Sequence, residues 1–431
     1  MAETTKLVIA IIIALIVGIG IGYAAGMGAV QTVTTTTTTT VTVTTPVTTP
    51  SPSPVGPPVT LTVVGPWSGG EMEAFMEVLK AFEEQTGIKI EYRIYRAEDL
   101  ASVAPPQFEA GMAPGDVLIT PWGWWIAEMG KKGHLIDLTG LVDENEYVTG
   151  IFDPVKADGK VYGLPFTAWA KPGFWYRKSF FEQHGLKPPE TWDEFVSLLS
   201  ELKGILGGPP IVTGDGVGWP VGDVAEHFII AFGGPELQLK LINGEVKFTD
   251  PEVKSIFEEK LVPLLKEGYF SEPIEWTRAV ELWWKGDYAL YFMGTWITGM
   301  VEDPDDLGIF PIPGTKGVVM GTDYICIPKY TEHLEEAKML AKFLATEGQR
   351  IHVGTKAGKF ATWLKVGIED HWAPMQGVYR FVKEMQPVPD LDDAVGGKWQ
   401  TLFWDQMKLL WVEPDRLDEI LTTLDENFPS E

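Results

Sequence analysis

Cysteine is almost absent from this chain of 431 residues, and the single cysteine, Cys326, has no partner for a disulfide within the chain. No cysteine follows the apolar amino-terminal run, which excludes lipid attachment at a bacterial-type lipobox. The setting Tyr324-Ile325-Cys326-Ile327 indicates a buried strand, where a thiol usually acts as a small apolar filler.

Histidine is also scarce and shows no metal-binding pattern. The six histidines, at positions 134, 184, 227, 333, 352 and 371, include no HExxH motif and no pair at i, i+4 spacing. The carboxylates of Asp390, Asp392 and Asp393 could bind Ca²⁺, but an exposed acidic turn is the favoured interpretation. The sequence therefore predicts no metal site and no cofactor.

Signatures of nucleotide binding and catalysis are missing as well. The segment Gly214-Asp215-Gly216-Val217-Gly218 lacks the Lys-Ser/Thr of a P-loop and the third glycine of a dinucleotide fingerprint, so it is interpreted as a turn. Ser68 does not lie in a Gly-x-Ser-x-Gly motif, and nothing marks it as a nucleophile. We therefore assign no catalytic residue.

Basic residues are few, with 34 lysines and arginines against 60 acidic residues and a formal net charge of −26. No basic stripe is present that could neutralise phosphates, which argues against a nucleic acid or an anionic lipid surface as partner. A neutral or cationic partner is expected.

The amino terminus has a long apolar run. Leu7 to Tyr23 is uncharged, and continuing to Met27 brings the run to the about 20 residues needed to cross a bilayer. Lys6 precedes it and no other basic residue follows before Lys80, which places the amino terminus in the cytoplasm and the rest outside. Residues 1–30 are predicted to be a retained membrane anchor; a cleaved signal peptide is the alternative.

Residues 31–58 are rich in threonine and proline, uncharged, and without large apolar groups that would drive collapse. This composition predicts an extended, disordered stalk, and its dense hydroxyls suit O-glycosylation.

The remaining residues have a globular composition and are too many for one ordinary core, which suggests two lobes. Strands are predicted at Leu61 to Val64, Lys89 to Tyr95 and Asp116 to Thr120, with a helix from Glu71 to Thr86 that ends at Gly87. Alternating strands and helices predict an α/β fold with a largely parallel sheet. Ligands bind such sheets beyond the carboxyl ends of their strands.

Tryptophan is abundant, with 17 in the chain, and several lie beside Gly or Pro in predicted loops: Trp67, Trp122, Trp124, Trp219 and Trp296. By contrast, Trp404 and Trp411 follow the apolar pattern of a C-terminal helix and are predicted to be core residues. A flat indole stacks on the C–H face of a sugar while nearby polar groups take the hydroxyls. Indoles at strand ends therefore indicate a sugar site.

Four further segments carry a family resemblance. They are Ala81 to Ile88, Gly159-Lys160-Val161-Tyr162-Gly163-Leu164-Pro165, and Trp175 to Phe181 followed by Pro189-Glu190-Thr191-Trp192-Asp193-Glu194-Phe195. Together they resemble the extracellular solute-binding proteins of ABC importers, in the sugar-binding group that includes maltose-binding proteins. The amino-terminal anchor and stalk are similar to archaeal versions of that family.

This resemblance implies a two-lobed, periplasmic-binding-protein-like fold with a hinge. The chain would cross between lobes near Phe166 to Ala168, Gly308 to Pro311 and Thr362. One lobe would comprise residues 59–167 plus 309–362, and the other 168–308 plus 363–431. Thr191 and Glu194 form a predicted capping box at the start of a structural helix.

By position in the family pattern, ligand contacts are expected from loops and strand ends around an inter-lobe cleft. The expected residues are Trp67, Ser68, Glu71, Trp122, Trp124, Trp169, Trp175, Trp219, Asp223, Trp296 and Asp323. For Asp223 and Asp323, a helix cap or a turn is the alternative.

The function implied is capture of a carbohydrate, an oligosaccharide in the first instance, and its delivery to the permease subunits of an ABC transporter at the cell surface. A membrane-anchored glycoside hydrolase is the enzyme alternative, and peptides or other solutes are alternative ligands. The chain is expected not to be an enzyme.

Overall fold

A computed structural model describes residues 59–429. The predicted anchor at residues 1–30 and the stalk at 31–58 lie outside these residues. Among the helices that the structure describes, none combines the length and apolar character needed to span a bilayer.

The described chain alternates strands and helices. The strands are β1 (Thr60–Gly65), β2 (Lys89–Ile94), β3 (Val117–Thr120), β4 (Lys156–Ala157), β5 (Lys160–Val161), β6 (Leu164–Lys171), β7 (Gly173–Arg177), β8 (Ile211–Val212), β9 (Gly214–Asp215), β10 (Ile274–Glu275), β11 (Leu290–Met293), β12 (Leu307–Phe310), β13 (Gly317–Cys326), β14 (Phe360–Ala361) and β15 (Gln386–Val388).

The helices are α1 (Gly69–Thr86), α2 (Ala97–Glu109), α3 (Gly123–Lys131), α4 (Lys178–His184), α5 (Trp192–Leu206), α6 (Trp219–Gly233), α7 (Pro235–Ile242), α8 (Pro251–Ile256), α9 (Val262–Lys266), α10 (Trp276–Lys285), α11 (Leu334–Ala345), α12 (Glu347–Val353), α13 (Ala373–Val382), α14 (Leu391–Val395), α15 (Gly397–Val412) and α16 (Leu417–Glu426). A π-helical turn, Phe257–Leu261, joins α8 to α9. The 3₁₀ helices are Glu144–Glu146, Asp153–Val155, Thr295–Gly299, Pro304–Asp306, Ile368–Asp370 and Pro414–Arg416.

The larger sheet has seven strands, with β14, β6, β13, β3, β1 and β2 in spatial order and β15 paired to β13. β1 is parallel to both β2 and β3, as predicted, and the helix after β1 ends at Gly87 in a left-handed conformation. The prediction of a largely parallel sheet is wrong, because β13 runs antiparallel to β3 and β6. β13 comes from the second half of the chain and runs against the direction of β3 and β6, whereas β15 runs parallel to it. Cys326, at its end, is fully buried as predicted.

The smaller sheet has four strands in the order β12, β7, β11, β8. Buried phenylalanines lie between this sheet and the helices α5 and α6. They are Phe174, Phe292 and Phe310 of the strands, Phe195 of α5 and Phe228 of α6. The predicted capping box is present at the start of α5, where the Thr191 side chain accepts from the Glu194 amide. Two sheets, each covered by helices, give the predicted two-lobed α/β fold.

The chain passes between the two sheets at Pro172, between the end of β6 and the start of β7, and again between β12 and β13. β15 lies in the larger sheet, and α14 and α15, which follow it, pack on helices of the smaller lobe. The division into 59–167 plus 309–362 and 168–308 plus 363–431 stays a prediction. Trp67 and Trp122, which follow β1 and β3, lie at the carboxyl ends of those strands, where the cleft opens.

The first passage between the sheets requires a glycine. Gly173 has a φ of +146°, and a Cβ at this position would lie 2.3 Å from the Phe310 carbonyl oxygen. We expect Gly173→Ala to destabilise the full chain by about 1–3 kcal/mol in denaturant unfolding, because backbone strain and a clash are added together.

The matched control is Gly204→Ala in α5. Gly204 has an ordinary φ, and a Cβ there meets no atom within 4 Å. Gly204→Ala should raise the free energy of unfolding by about 0.5–1 kcal/mol, because alanine restricts the unfolded chain and favours the helix. Equal effects of the two substitutions would contradict the role given to Gly173.

Candidate ligand-binding cleft

A cleft that is partly open to solvent lies between the two lobes. Its walls carry seven indoles: Trp67, Trp122, Trp169, Trp219, Trp276, Trp296 and Trp404. They come from the ends of β1 and β3, from β6, from the 3₁₀ helix after β11, and from α6, α10 and α15. A concave surface lined by aromatic groups with a few polar groups is typical of a small-molecule site.

Trp67 is held rigidly at the end of β1. Its amide donates to Tyr92 Oη at 3.0 Å, and the Tyr92 hydroxyl donates back to the Trp67 carbonyl at 3.1 Å. Its ring packs on Phe75 with centroids 4.6 Å apart and on His352 at 5.4 Å. One edge of the indole is therefore fixed by the core, and the rest of the ring contributes to the cleft wall.

Trp122 occupies the equivalent place after β3. Its amide donates to Thr120 Oγ1, and its ring stacks on Trp124 with centroids 5.8 Å apart. Trp404, from α15 of the smaller lobe, lies 6.2 Å away across the cleft. Trp122 and Trp404 thus bring the two lobes together at one end.

Four indoles form a continuous cluster at the other end. Trp296 meets Trp169 edge-on at 5.6 Å and lies 5.9 Å from Trp219, which is 5.5 Å from Trp276. Trp169 fits because Gly321 lies opposite it in the sheet, and a Cβ at Gly321 would be 2.2 Å from the indole.

Two buried lysines lie among these rings. Lys359 pairs with Asp323 at 3.0 Å, and its Nζ is 5.5 Å from the Trp67 ring and 5.8 Å from the Trp296 ring. Glu71, in the first turn of α1, is also buried there. Burial raises the pKa of Glu71 to about 7, against the opposing effect of the Lys359 ammonium.

Lys171, at the end of β6, contacts the carboxylates of Asp223, at 2.6 Å, and of Asp390. Its Nζ lies 5.1 Å from the Trp169 ring and 5.4 Å from the Trp219 ring. Burial opposes its charge, but the two carboxylates hold the pKa of Lys171 well above its usual value. The lysine is therefore a buried cation, neutralised by the smaller lobe.

Oxygen atoms of Asp223, Asp390 and Asp392 lie within 4.8 Å of one another, a donor set that could hold a metal ion. The Lys171 ammonium already contacts two of these three carboxylates. The positive charge that this acidic group requires is thus supplied by the chain itself.

Most residues predicted from the family pattern meet at the cleft. Its walls include Trp67, Glu71, Trp122, Trp169, Trp219, Trp296 and Asp323. Four predicted residues are not among them. Ser68 is exposed at the N-cap of α1, and Trp124 stacks on Trp122. Asp223 pairs with Lys171. Trp175 is buried, and its Nε1 donates to the Met293 carbonyl at 2.7 Å. Ligand contact by any of these residues remains a prediction.

The core prediction for Trp404 is confirmed, because the residue is buried in the main apolar core; its ring also lines the cleft, and its Nε1 donates to Asp392. The prediction of an exposed acidic turn is wrong. Asp390 and Asp392 are buried, and Lys171, Gln400 and Trp404 supply partners for their carboxylates.

Other cleft residues escaped sequence reasoning altogether: Arg96, Glu98, Lys171, Trp276 and Lys359. Trp276 and Arg96 begin or precede helices, so a search restricted to strand ends does not find them. Lys171 and Lys359 are lysines in apolar surroundings, and this is the one local signal that could have indicated them.

The raised pKa of Glu71 predicts a pH effect on stability. The pKa in the folded protein, about 7, lies above the ordinary value of 4.5, so the folded chain binds the extra proton between these values. Stability from this group is present below pH 4.5 and is lost as the pH rises through 7, by about 3 kcal/mol in total.

Glu71→Gln should remove this loss, so that the variant gains stability over the parent at about pH 8 and not at about pH 4. Denaturant unfolding of the full chain at both pH values measures the difference, with Glu73→Gln, an exposed glutamate on the same helix, as control. A parallel shift at both pH values would contradict the assignment.

Comparisons with known proteins agree with this geometry. Residues 66–351 match the family described as bacterial extracellular solute-binding protein. An uncharacterised ABC transporter extracellular-binding protein of Pyrococcus horikoshii is 68% identical over 86% of this chain and 89% of its own length. The multiple sugar-binding protein of Streptococcus mutans is 28% identical over 64% of this chain and 69% of its own length.

Among solved structures, a chitin oligosaccharide binding protein superposes with a TM-score of 0.72 at 22% identity, covering 86% of this chain and 99% of the other. That likeness extends the two-lobed fold to nearly the whole described region. The family and these neighbours are binding proteins and not enzymes. With two thirds of its length matched and a relative of 68% identity, the chain belongs to the extracellular solute-binding protein family of ABC transporters.

Proposed function

We propose that this protein captures a sugar, in the first instance an oligosaccharide, in the inter-lobe cleft and delivers it to an ABC importer. The observation that carries the proposal is the cleft wall itself, where seven indoles alternate with buried carboxyl groups.

Indoles and carboxyl groups match the two surfaces of a sugar ring. The C–H face of a sugar is apolar and packs on an aromatic face, while its hydroxyls donate to carboxylates or accept from lysine. Trp67 and Trp296 line the cleft together with Glu71 and Asp323, and the Lys359 ammonium lies near both rings. Trp122 and Trp404 contact each other at the other end of the cleft, where Asp393 also lines the wall.

Indoles at both ends of one cleft favour a ligand of more than one ring. The chitin oligosaccharide binding protein is named for a ligand of this class, and the multiple sugar-binding protein is named for sugars. A glycoside hydrolase is not proposed, because the family consists of solute-binding proteins.

The cleft is closed in this structure, since groups from both lobes touch across it. Arg96 pairs with Glu275 at 3.3 Å at the mouth, and Gly70 lies so close to the Gly299 carbonyl that a Cβ there would be 2.1 Å from the oxygen. A ligand that contacts both lobes stabilises the closed state relative to an open one. The permease subunits would recognise that closed pair of lobes.

The cellular location of the protein is part of the same proposal. We expect the binding domain outside the cell, tethered by the amino-terminal apolar segment and the threonine-rich stalk. The family is extracellular, and the relative of 68% identity is archaeal in source, which supports this arrangement.

The test is a ligand panel. Thermal unfolding of the full chain against mono- and oligosaccharides should show a persistent, dose-dependent stabilisation, about 2.7 kcal/mol at 100 times the dissociation constant. The same ligand should reduce the radius of gyration in small-angle scattering if the free protein opens. A shift that decays as the sugar is consumed would indicate hydrolysis, and no shift with any sugar would overturn the proposal.

Truncating the indoles should weaken binding. We expect Trp67→Ala and Trp296→Ala each to cost about 1–3 kcal/mol of binding free energy, because each removes aromatic area from the ligand face. Titration calorimetry with the sugar selected by the panel gives the values.

The control is Trp284→Ala, since Trp284 meets Trp283 edge-on and neither ring lines the cleft. Cooperative unfolding of each variant establishes that the fold is retained. Unchanged affinity in both cleft variants would contradict the site assignment.

A further inference from the structure

The cations and the carboxyl groups of the cleft are not equal in number. Each cation that lines it is already paired: Lys171 with Asp223 and Asp390, Lys359 with Asp323, and Arg96 with Glu275. Within residues 59–429, four carboxyl groups of the lining make no ion pair: Glu71, Glu98, Asp392 and Asp393. The cleft therefore presents acidic groups in excess to whatever enters it.

Two of these four groups have internal hydrogen-bond donors. Gln400 donates to Asp393 at 2.6 Å and to Asp392 at 3.3 Å, and Trp404 also donates to Asp392. These bonds position the acidic pair on the wall of the smaller lobe. They satisfy part of the hydrogen-bonding capacity of that pair without a ligand, and Asp392 Oδ1 has no partner among the described residues.

Glu71 differs from the others. Its residue is 92% buried (8% exposed), it lines the cleft, and within residues 59–429 its carboxyl group makes neither a hydrogen bond nor an ion pair. Burying an acidic group without a partner costs free energy that a ligand group of opposite charge recovers. An unpartnered, buried carboxyl facing a cavity indicates the chemistry of what binds there.

The rings around Glu71 favour the same charge. The Lys359 ammonium already lies near the faces of Trp67 and Trp296, as Lys171 does with Trp169 and Trp219. Indole faces attract cations through their quadrupole, and cages of aromatic rings with a nearby carboxylate are used to bind organic ammonium groups. The rings and carboxylates of this cleft thus already bind two ammonium groups, both from the chain itself.

We propose that the ligand carries a cationic group, as an amino sugar does, and that this group pairs with the Glu71 carboxylate beside Trp67 and Trp296. This inference rests on the proposed sugar-binding function and narrows it to basic sugars. A neutral sugar would give Glu71 only hydroxyl donors, whereas an ammonium supplies charge-assisted hydrogen bonds, which are about twice as strong.

The test compares three forms of one sugar. Glucosamine, N-acetylglucosamine and glucose, each as the monosaccharide and as β-1,4-linked oligomers of equal length, are titrated into the full chain at neutral pH. They differ only in an ammonium, an uncharged amide or a hydroxyl at one carbon. We expect the glucosamine forms to bind at least about tenfold more tightly than the other two forms. The two neutral forms cannot make the ion pair with the buried Glu71 carboxylate.

Two variants assign that difference to Glu71. Glu71→Gln keeps the shape and removes the charge, and should bring the three forms within about threefold of one another. Glu73→Gln, exposed on the same helix, should leave the tenfold preference intact.

Each outcome decides the matter. Neutral forms that bind as tightly as glucosamine, or a preference that survives in Glu71→Gln, would overturn the cationic assignment and leave sugar binding standing. The same holds if a neutral sugar from the wider panel binds and no glucosamine form does. Failure of every sugar in both experiments would instead overturn the proposed function.

Discussion

The buried ion cluster around Lys171 is the interaction on which the cleft depends. Lys171 ends the strand that leaves the larger sheet, and the two carboxylates that neutralise it belong to α6 and to the segment before α14. A buried ammonium that lost these partners would carry a penalty of several kcal/mol, so the three segments must meet. Their meeting places Trp169, Trp219 and Trp404 on one cleft wall, because each lies on or beside a segment that the cluster joins. His227 adds to it, with its ring nitrogens contacting the carbonyls of Lys171 and Asp223.

The second wall is organised differently, through apolar packing. Trp67 leans on Phe75 and His352 of the larger lobe, and Tyr92 fixes its backbone. The Lys359 and Asp323 pair then sets one charge of each sign close to the ring. The cleft is consequently rigid on both sides: one wall is held by ions and the other by aromatic packing. Such preorganisation lowers the entropy lost when a ligand is immobilised.

The lobes approach each other closely because glycine, which has no side chain, occupies positions at their boundary. Gly70 faces the Gly299 carbonyl at a distance that no Cβ would allow, and Gly321 makes room for Trp169 within the sheet. Gly70 therefore lets the start of α1 approach the other lobe, and Gly321 lets the Trp169 indole lie at the cleft wall. Across the same boundary the Arg96 and Glu275 pair is about 40% exposed, so it contributes little free energy and can open with the lobes.

Local signals were sufficient for the parts of this protein that depend on neighbours in sequence. The β1–α1–β2 unit, the left-handed stop at Gly87, the capping box at Thr191 and the buried Cys326 strand all follow from short-range patterning, and the structure has them. Indoles beside turns also indicated four of the seven that line the cleft, and the family pattern added Trp169 as a fifth.

Tertiary structure alone decided the direction of β13, the burial of Asp390 and Asp392, and the exposure of Trp404 to the cleft. Each of these depends on groups far apart in the chain: Lys171 and Asp390 are 219 residues apart, and Trp122 meets Trp404 only across the lobes. An acidic turn is exposed unless a buried cation reaches it, and a buried helical indole such as Trp404 reaches a cleft only where the other lobe approaches it. Composition and spacing carry no information about such distant partners, which is why only the folded chain reveals that the cleft is acidic as well as aromatic.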